Sequence, residues 1–258
     1  MALRLLLAAT LLSASIPAHV ALDAPNGGVV LTPGTIYVIR WHVVIQHNTT
    51  GWDLHYSTTN GAGAWIPIAT GLPVGDPSSG AMHTFYWTVP NDASSQVLVR
   101  VTQVNLGNSY IGVSPLANDI IAIPVSASPA SISATIGGAH VIAAQFPSAL
   151  AGSPYIVAGS LSGVMTTSYP FLQSSILNGF ALPIIPDWYM DWTRTSLSPA
   201  LIGFQGLLDA TGAATATLAI PPNLPTSMIG FAGHHACGVV GSGTLIAVGN
   251  AAPLTIIP

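Results

Sequence analysis

The chain has 258 residues with four Arg, no Lys, eight Asp and no Glu, so 5 % of it is charged where soluble proteins average about 25 %. Half of the residues are hydrophobic, enough for one large core or two ordinary ones, which excludes a disordered chain. So few cations argue against nucleic acid as a partner, and 26 Gly and 21 Pro interrupt the apolar runs before the ~18 residues that span a bilayer, despite a mean hydropathy of +0.61.

At the amino terminus one cation, Arg4, precedes the apolar run Leu5 to Leu12 and then Ser13, Ala14, Ser15 and Pro17, the layout of a secretory signal peptide. Ile16-Pro17-Ala18 satisfies the preference for small or aliphatic residues at the cut, whereas cleavage after Ala21 would place His19 in the wrong pocket. Residues 1–18 are therefore expected to be removed, leaving an exported chain that begins with His19. Cys237 is the single cysteine, so no intrachain disulfide forms and stability must come from packing.

Downstream, strand signals alternate with turn signals. A first strand opens at Leu22-Asp23, Pro25-Asn26-Gly27-Gly28 turns, and Thr35 to Ile45 is a long strand with Tyr37, Ile39, Trp41, Val43 and Ile45 on one face. Further strands are expected at Trp52 to Thr58, Trp65 to Ala69, Thr84 to Val89 and Val97 to Val104, with a last one ending near Ile123. Seven or so short strands in this length indicate an immunoglobulin-like or fibronectin III-like sandwich over residues 19–124. Pro124 to Pro129 reads as a linker spanning 125–129. A second β-rich domain is expected over 130–258, with strands at Ile132 to Ile136, His140 to Phe146, Tyr155 to Ser160, Ile202 to Leu208, Ala213 to Ile220, Met228 to Val240, Leu245 to Val248 and near Ile256. Gly163 to Pro199 reads as a long irregular segment with one short helix at Asp187 to Thr193. The fold class is all-β, two β-sandwich domains in succession.

Pro25-Asn26-Gly27-Gly28, Ile39-x-Trp41, Tyr56-Ser57-Thr58 and Trp87-Thr88-Val89-Pro90 resemble the immunoglobulin-like modules of secreted bacterial proteins, over roughly residues 22–123. The second half resembles the tails of large secreted planctomycete proteins. Both resemblances imply a fold and an extracellular or cell-surface setting, not an activity.

Hydrolytic chemistry finds little support. With Glu absent, Asp187 and Asp191 are the nearest carboxylate pair, flanked by Trp188 and Trp192, and a helix-capping Asp beside packing tryptophans is the favoured reading. Gly-x-Ser-x-Gly and phosphate-binding glycine patterns are absent. Cys237 sits in an apolar strand and reads as an inert thiol, and adjacent His234 and His235 point to opposite strand faces, which disfavours a shared metal.

Histidine stands apart: eight against four Arg, five of them in the first module. Sandwich topology gathers His19, His47 and His83 at one end, whereas His42 and His55 lie mid-strand, His42 on the face opposite Trp41. A histidine that starts a chain offers both an α-amino group and an imidazole, and a second imidazole completes a three-nitrogen arrangement suited to Cu(II). Ala18-His19-Val20-Ala21-Leu22 thus resembles the opening of histidine-brace copper proteins, among them the lytic polysaccharide monooxygenases. That resemblance implies copper as cofactor and His19 as a metal ligand; the second ligand rests on topology, with His47 or His83 the candidates and Tyr110, in the loop at the same end, as an axial neighbour. Trp52, one residue past the Asn48 to Gly51 turn, is a candidate sugar-stacking surface, although a tryptophan in a sandwich is more often core.

The leading expectation is a secreted copper-binding protein with an N-terminal histidine brace, acting oxidatively on a neutral polysaccharide. The alternatives are a non-catalytic extracellular adhesion, structural or carbohydrate-binding sandwich, and a copper carrier. The expected partners are polysaccharide or cell-surface material, with no nucleic acid and no membrane span.

Overall fold

The computed structural model describes residues 19–165, 181–195, 198–242 and 244–258. The expected signal peptide, and residues 166–180 and 196–197 within the segment read as irregular, lie outside the described residues.

Strands β1 (Val20–Ala24), β3 (Ile36–Val43) and β6 (Met82–Thr88) form one antiparallel sheet in the order β1-β3-β6. A second sheet runs β2 (Val30–Leu31), β9 (Asn118–Ile120), β7 (Ser94–Asn105), β4 (Thr49–Ser57), β5 (Ile66–Leu72), with β8 (Tyr110–Val113) paired to β7. First, second and penultimate long strands on one sheet, and the remainder on the other, is a fibronectin III-like division of strands. Period-2 alternation builds the core between the sheets: Tyr37, Ile39 and Trp41 from β3 meet Trp52 and Leu54 from β4 and Val99 and Val101 from β7. The branched and aromatic inward residues suit a pleated, half-buried surface, which is why these segments extend rather than coil.

The remaining strands form two further sheets. One runs β10 (Val125–Ser128), β12 (Gly138–Gln145), β16 (Ala213–Ile220), β14 (Leu201–Ile202). The other runs β11 (Ser131–Ser133), β19 (Ala252–Ile257), β17 (Ala232–Gly241), β13 (Pro154–Ser160), β15 (Gln205–Leu207), with β18 (Thr244–Val248) on β17. Ile142, Phe146, Val157, Ala216, Cys237 and Val239 pack between them. The two sandwiches touch where the Thr32 hydroxyl donates to the Val248 carbonyl and where Asn250 N–H donates to Ile123 O at 3.3 Å.

Three details differ from the sequence reading. Residues 125–128, expected as linker, form edge strand β10: Val125 to Ser128 pair with Ala144 to Val141, because backbone groups left beside an open β12 edge are satisfied by pairing. The strand expected from Ile202 to Leu208 is divided into β14 and β15, which belong to opposite sheets. Gly203, at φ +68°, makes that crossing; a Cβ there would lie 2.6 Å from Thr215 O. The segment beginning at Met228 enters its strand only at Ala232, after a 3-10 turn over Thr226–Met228. Helix α1 (Trp188–Thr195) stands where a short helix was expected, capped by Asp187, whose Oδ1 accepts Met190 N–H at 3.0 Å.

Candidate functional site

His19 is the residue immediately before β1, and its backbone is pinned. Its carbonyl accepts the N–H groups of Val44 and Ile45 at 3.0 and 3.1 Å, which ties the start of the chain to the turn after β3. Two residues further along that turn stands His47. Across from both, β8 opens with Tyr110, which pairs with Gln103 of β7, and Leu106 N–H donates to Asn48 O at 3.0 Å to close the β7–β8 hairpin onto the same turn. Three separate chain segments thereby converge. The His19 Nδ1 lies 2.6 Å from His47 Nε2, and the Tyr110 ring lies flush on His19, centroids 3.7 Å apart and planes 5° apart, while His47 and Tyr110 are 4.6 Å apart.

The approach of β1 to β8 depends on Gly112. A Cβ at that position would meet Val20 O at 2.7 Å and Leu22 N at 3.2 Å, so only a glycine lets the first strand lie where it does. The surroundings carry few charges: residues 44–50 and 105–111 contain no Asp, Glu, Lys or Arg. Leu106, in the β7–β8 turn, and Ile111 of β8 are exposed. At 2.6 Å the two imidazole nitrogens share one proton in a hydrogen bond, and imidazole is also a ligand suited to copper, zinc and nickel alike. The residues that would hold a copper ion at this end are His19 and His47, with a third nitrogen from the α-amino group in a chain that starts at His19.

Other residues expected at this end lie elsewhere. His83 does not join the pair: it is paired in register with Trp41 on β3, its ring lies 5.4 Å from Trp41 and 4.8 Å from Trp52, and Gly75 covers it. Residues directly opposite each other on paired strands share a face, so the partner of an inward tryptophan also points inward. Burial lowers the His83 pKa, partly offset by a backbone bond at Asp76. Among the described residues no group of three His, Cys, Asp or Glu side chains comes together. Trp52 is not a surface: it is 0 % exposed, and its indole N–H donates to Val74 O at 2.9 Å. It fills the core because its strand parity matches Leu54 and Tyr56. Tyr110 presents its ring face, not its hydroxyl, to His19, so its contribution here is stacking. His42 lies on the other face from Trp41 and bonds Asp23 at 2.8 Å.

In the second sandwich Asp187 is committed to structure. Burial acts to raise its pKa, and bonds from Met190, Ser162 and Leu161 outweigh that and hold it below the ordinary carboxylate range. Asp191 pairs with Arg194 at 3.1 Å. Cys237 is fully buried and burial pushes its thiol up to about 12, as an inert packing residue requires. A pair that sequence reasoning did not single out is His140 on β12 and His235 on β17, both 0 % exposed, their rings 5.2 Å apart across the sandwich interior. His140 Nδ1 bonds Pro129 O at 2.8 Å, His235 Nε2 bonds the Tyr189 hydroxyl at 2.9 Å, and the remaining nitrogen of each is buried without a hydrogen-bond partner among the described residues. Burial, with lesser contributions from His140 and His234, depresses His235 to about 3. The signal was legible as parity: both lie on inward positions of their strands.

No protein-family model matches the chain, and no curated protein is similar to it. Among solved structures, it is similar to the teleost fish polymeric Ig receptor ectodomain at 14 % identity and TM-score 0.29, covering 93 % of this chain and 98 % of that one. It is similar to chicken CNTN1 FN1-FN3 domains at 9 % identity and TM-score 0.30, over 94 % of this chain and 66 % of that one. The Clostridium thermocellum CbhA fibronectin(III)-like modules align with 40 % of this chain and 97 % of theirs, at 15 % identity and TM-score 0.26. With likenesses this weak, the all-β assignment rests on the strand pairing itself: two sandwiches in succession, the first with the strand division of a fibronectin III-like module.

Proposed function

We propose that this is an exported, non-catalytic β-sandwich protein that binds copper at the end of its first sandwich, through His19 and His47. The observation that carries the reading is the 2.6 Å approach of His19 Nδ1 to His47 Nε2, brought about by three segments distant in sequence. Tyr110 holds the His19 ring in place by stacking, and the His19 carbonyl bonds hold its backbone. Copper bound here would be redox-active, and the protein's own contribution is to orient two imidazoles and shield one side with a phenol ring. Oxidative attack on polysaccharide loses its expected sugar platform at this end, since Trp52 lies in the core.

The test is a copper titration of the exported protein after its amino terminus has been read by intact mass. The expected result is a chain beginning at His19 that takes up one Cu(II), with at least a hundredfold weaker binding in His47→Ala and unchanged binding in His83→Ala. Equal binding by the two variants would overturn the reading.

A further inference from the structure

Beyond the copper reading, the second sandwich carries a cavity of about 310 Å³ between helix α1 and the strands beneath it. Its outer wall is Trp188 and Trp192 of α1, its floor Leu218 and Ile220 of β16 with Leu254 of β19, and its far side Phe231. That volume lies at the low end of the ~300–1,000 Å³ typical of small-molecule sites. Trp188 is 69 % exposed at the rim although its helix neighbours Tyr189 and Met190 are buried, and Phe231 is 39 % exposed opposite it. An indole held in water beside an apolar recess is half of a binding contact.

We propose that this cavity is a binding site for a hydrocarbon chain, the acyl tail of a fatty acid or lipid. The chemistry of the walls selects that class. No charged side chain lines the cavity, and its walls are apolar apart from the two indoles and the Tyr189–His235 pair, in which the Tyr189 hydroxyl and His235 Nε2 bond each other at 2.9 Å. A ligand that carried a charge or several polar groups into a recess walled almost wholly by carbon would leave them unpaired, a cost hydrocarbon does not incur. A headgroup would remain outside, past Trp188. The rigid floor of paired strands and the aromatic wall leave the recess open without requiring a rearrangement of the sandwich.

The experiment titrates the full exported chain with hexanoate, octanoate and decanoate below their micelle concentrations, followed by calorimetry and tryptophan fluorescence. One site per chain is expected, with affinity rising about fourfold per methylene until the recess is full. Leu218→Trp, which enlarges a floor side chain into the cavity from β16, is expected to abolish binding. Trp188→Ala, on an exposed side chain that leaves folding intact, is expected to weaken it several-fold and decides the matter should the filled variant misfold. Phosphatidylcholine vesicles in a flotation assay distinguish the source: co-flotation lost in the variants identifies membrane lipid, and binding of free acids without co-flotation identifies soluble fatty acid. No saturable binding of either probe, or binding indifferent to chain length and to both substitutions, overturns the proposal.

Discussion

Acid should destabilise the second sandwich through His235. This imidazole is 0 % exposed and titrates at about 3 in the folded chain against 6.5 when unfolded. Folding therefore keeps it neutral, the unfolded chain takes up a proton below pH 6.5, and stability falls with pH from there down to about 3. From pH 7.5 to 5.0 this one group removes about 2 kcal/mol, which for a chain of this size lowers the melting temperature by roughly 4–8 °C. His140 acts in the same direction, its pKa lowered by burial against the opposing bond to Pro129. Asp76, Asp187 and Asp209 are held below 3.8 and titrate beneath this window, so they do not enter. The assay is calorimetric melting of wild type and His235→Phe at both pH values. The substitution leaves the Tyr189 hydroxyl without its partner, costing about 1–3 kcal/mol at either pH, while the difference between the two pH values isolates the titration. A wild-type drop matched by the variant would refute the reasoning.

Three further outcomes follow from the first sandwich. Trp52→Ala should cost about 3–5 kcal/mol in chemical denaturation, as befits a core tryptophan, where a surface residue would cost almost nothing. Gly112→Ala should push β1 away from β8 and weaken copper uptake along with stability, because the new Cβ would sit 2.7 Å from Val20 O; an unchanged copper titration would count against the link between β8 and His19. Tyr110→Phe should bind copper like wild type and Tyr110→Ala several-fold more weakly, since only the ring face meets His19; a loss with Phe would mean the hydroxyl takes part.

Much of this architecture is legible in the alternation of apolar residues. The period-2 runs mark their strands: in Tyr37 to Val43 the inward residues are Tyr37, Ile39, Trp41 and Val43, in Ala213 to Ile220 inward Ala214, Ala216 and Leu218 alternate with outward Thr215 and Thr217, and parity alone sends His42 and Trp41 to opposite faces. The convergence of His19 and His47 could be anticipated from topology, as both belong to the end where β1 starts and β3 finishes. His83 could not be sorted the same way: its position depends on the β3–β6 register, which sets it opposite Trp41, and register between distant strands is not written in either strand alone. Val125 to Ser128 looked like a linker because small and polar residues carry no burial pattern, and an edge strand is held by backbone pairing rather than by side chains. The recess beneath Trp188 depends on how a helix sits across two sheets, a tertiary fact with no local signature.

Electron paramagnetic resonance of the chain beginning at His19, loaded with one equivalent of Cu(II), tests the central claim most directly. The account predicts a tetragonal, nitrogen-rich spectrum that is lost in His47→Ala and kept in His83→Ala. A spectrum of hydrated copper in the wild type, or one that His83→Ala alters and His47→Ala does not, would contradict it.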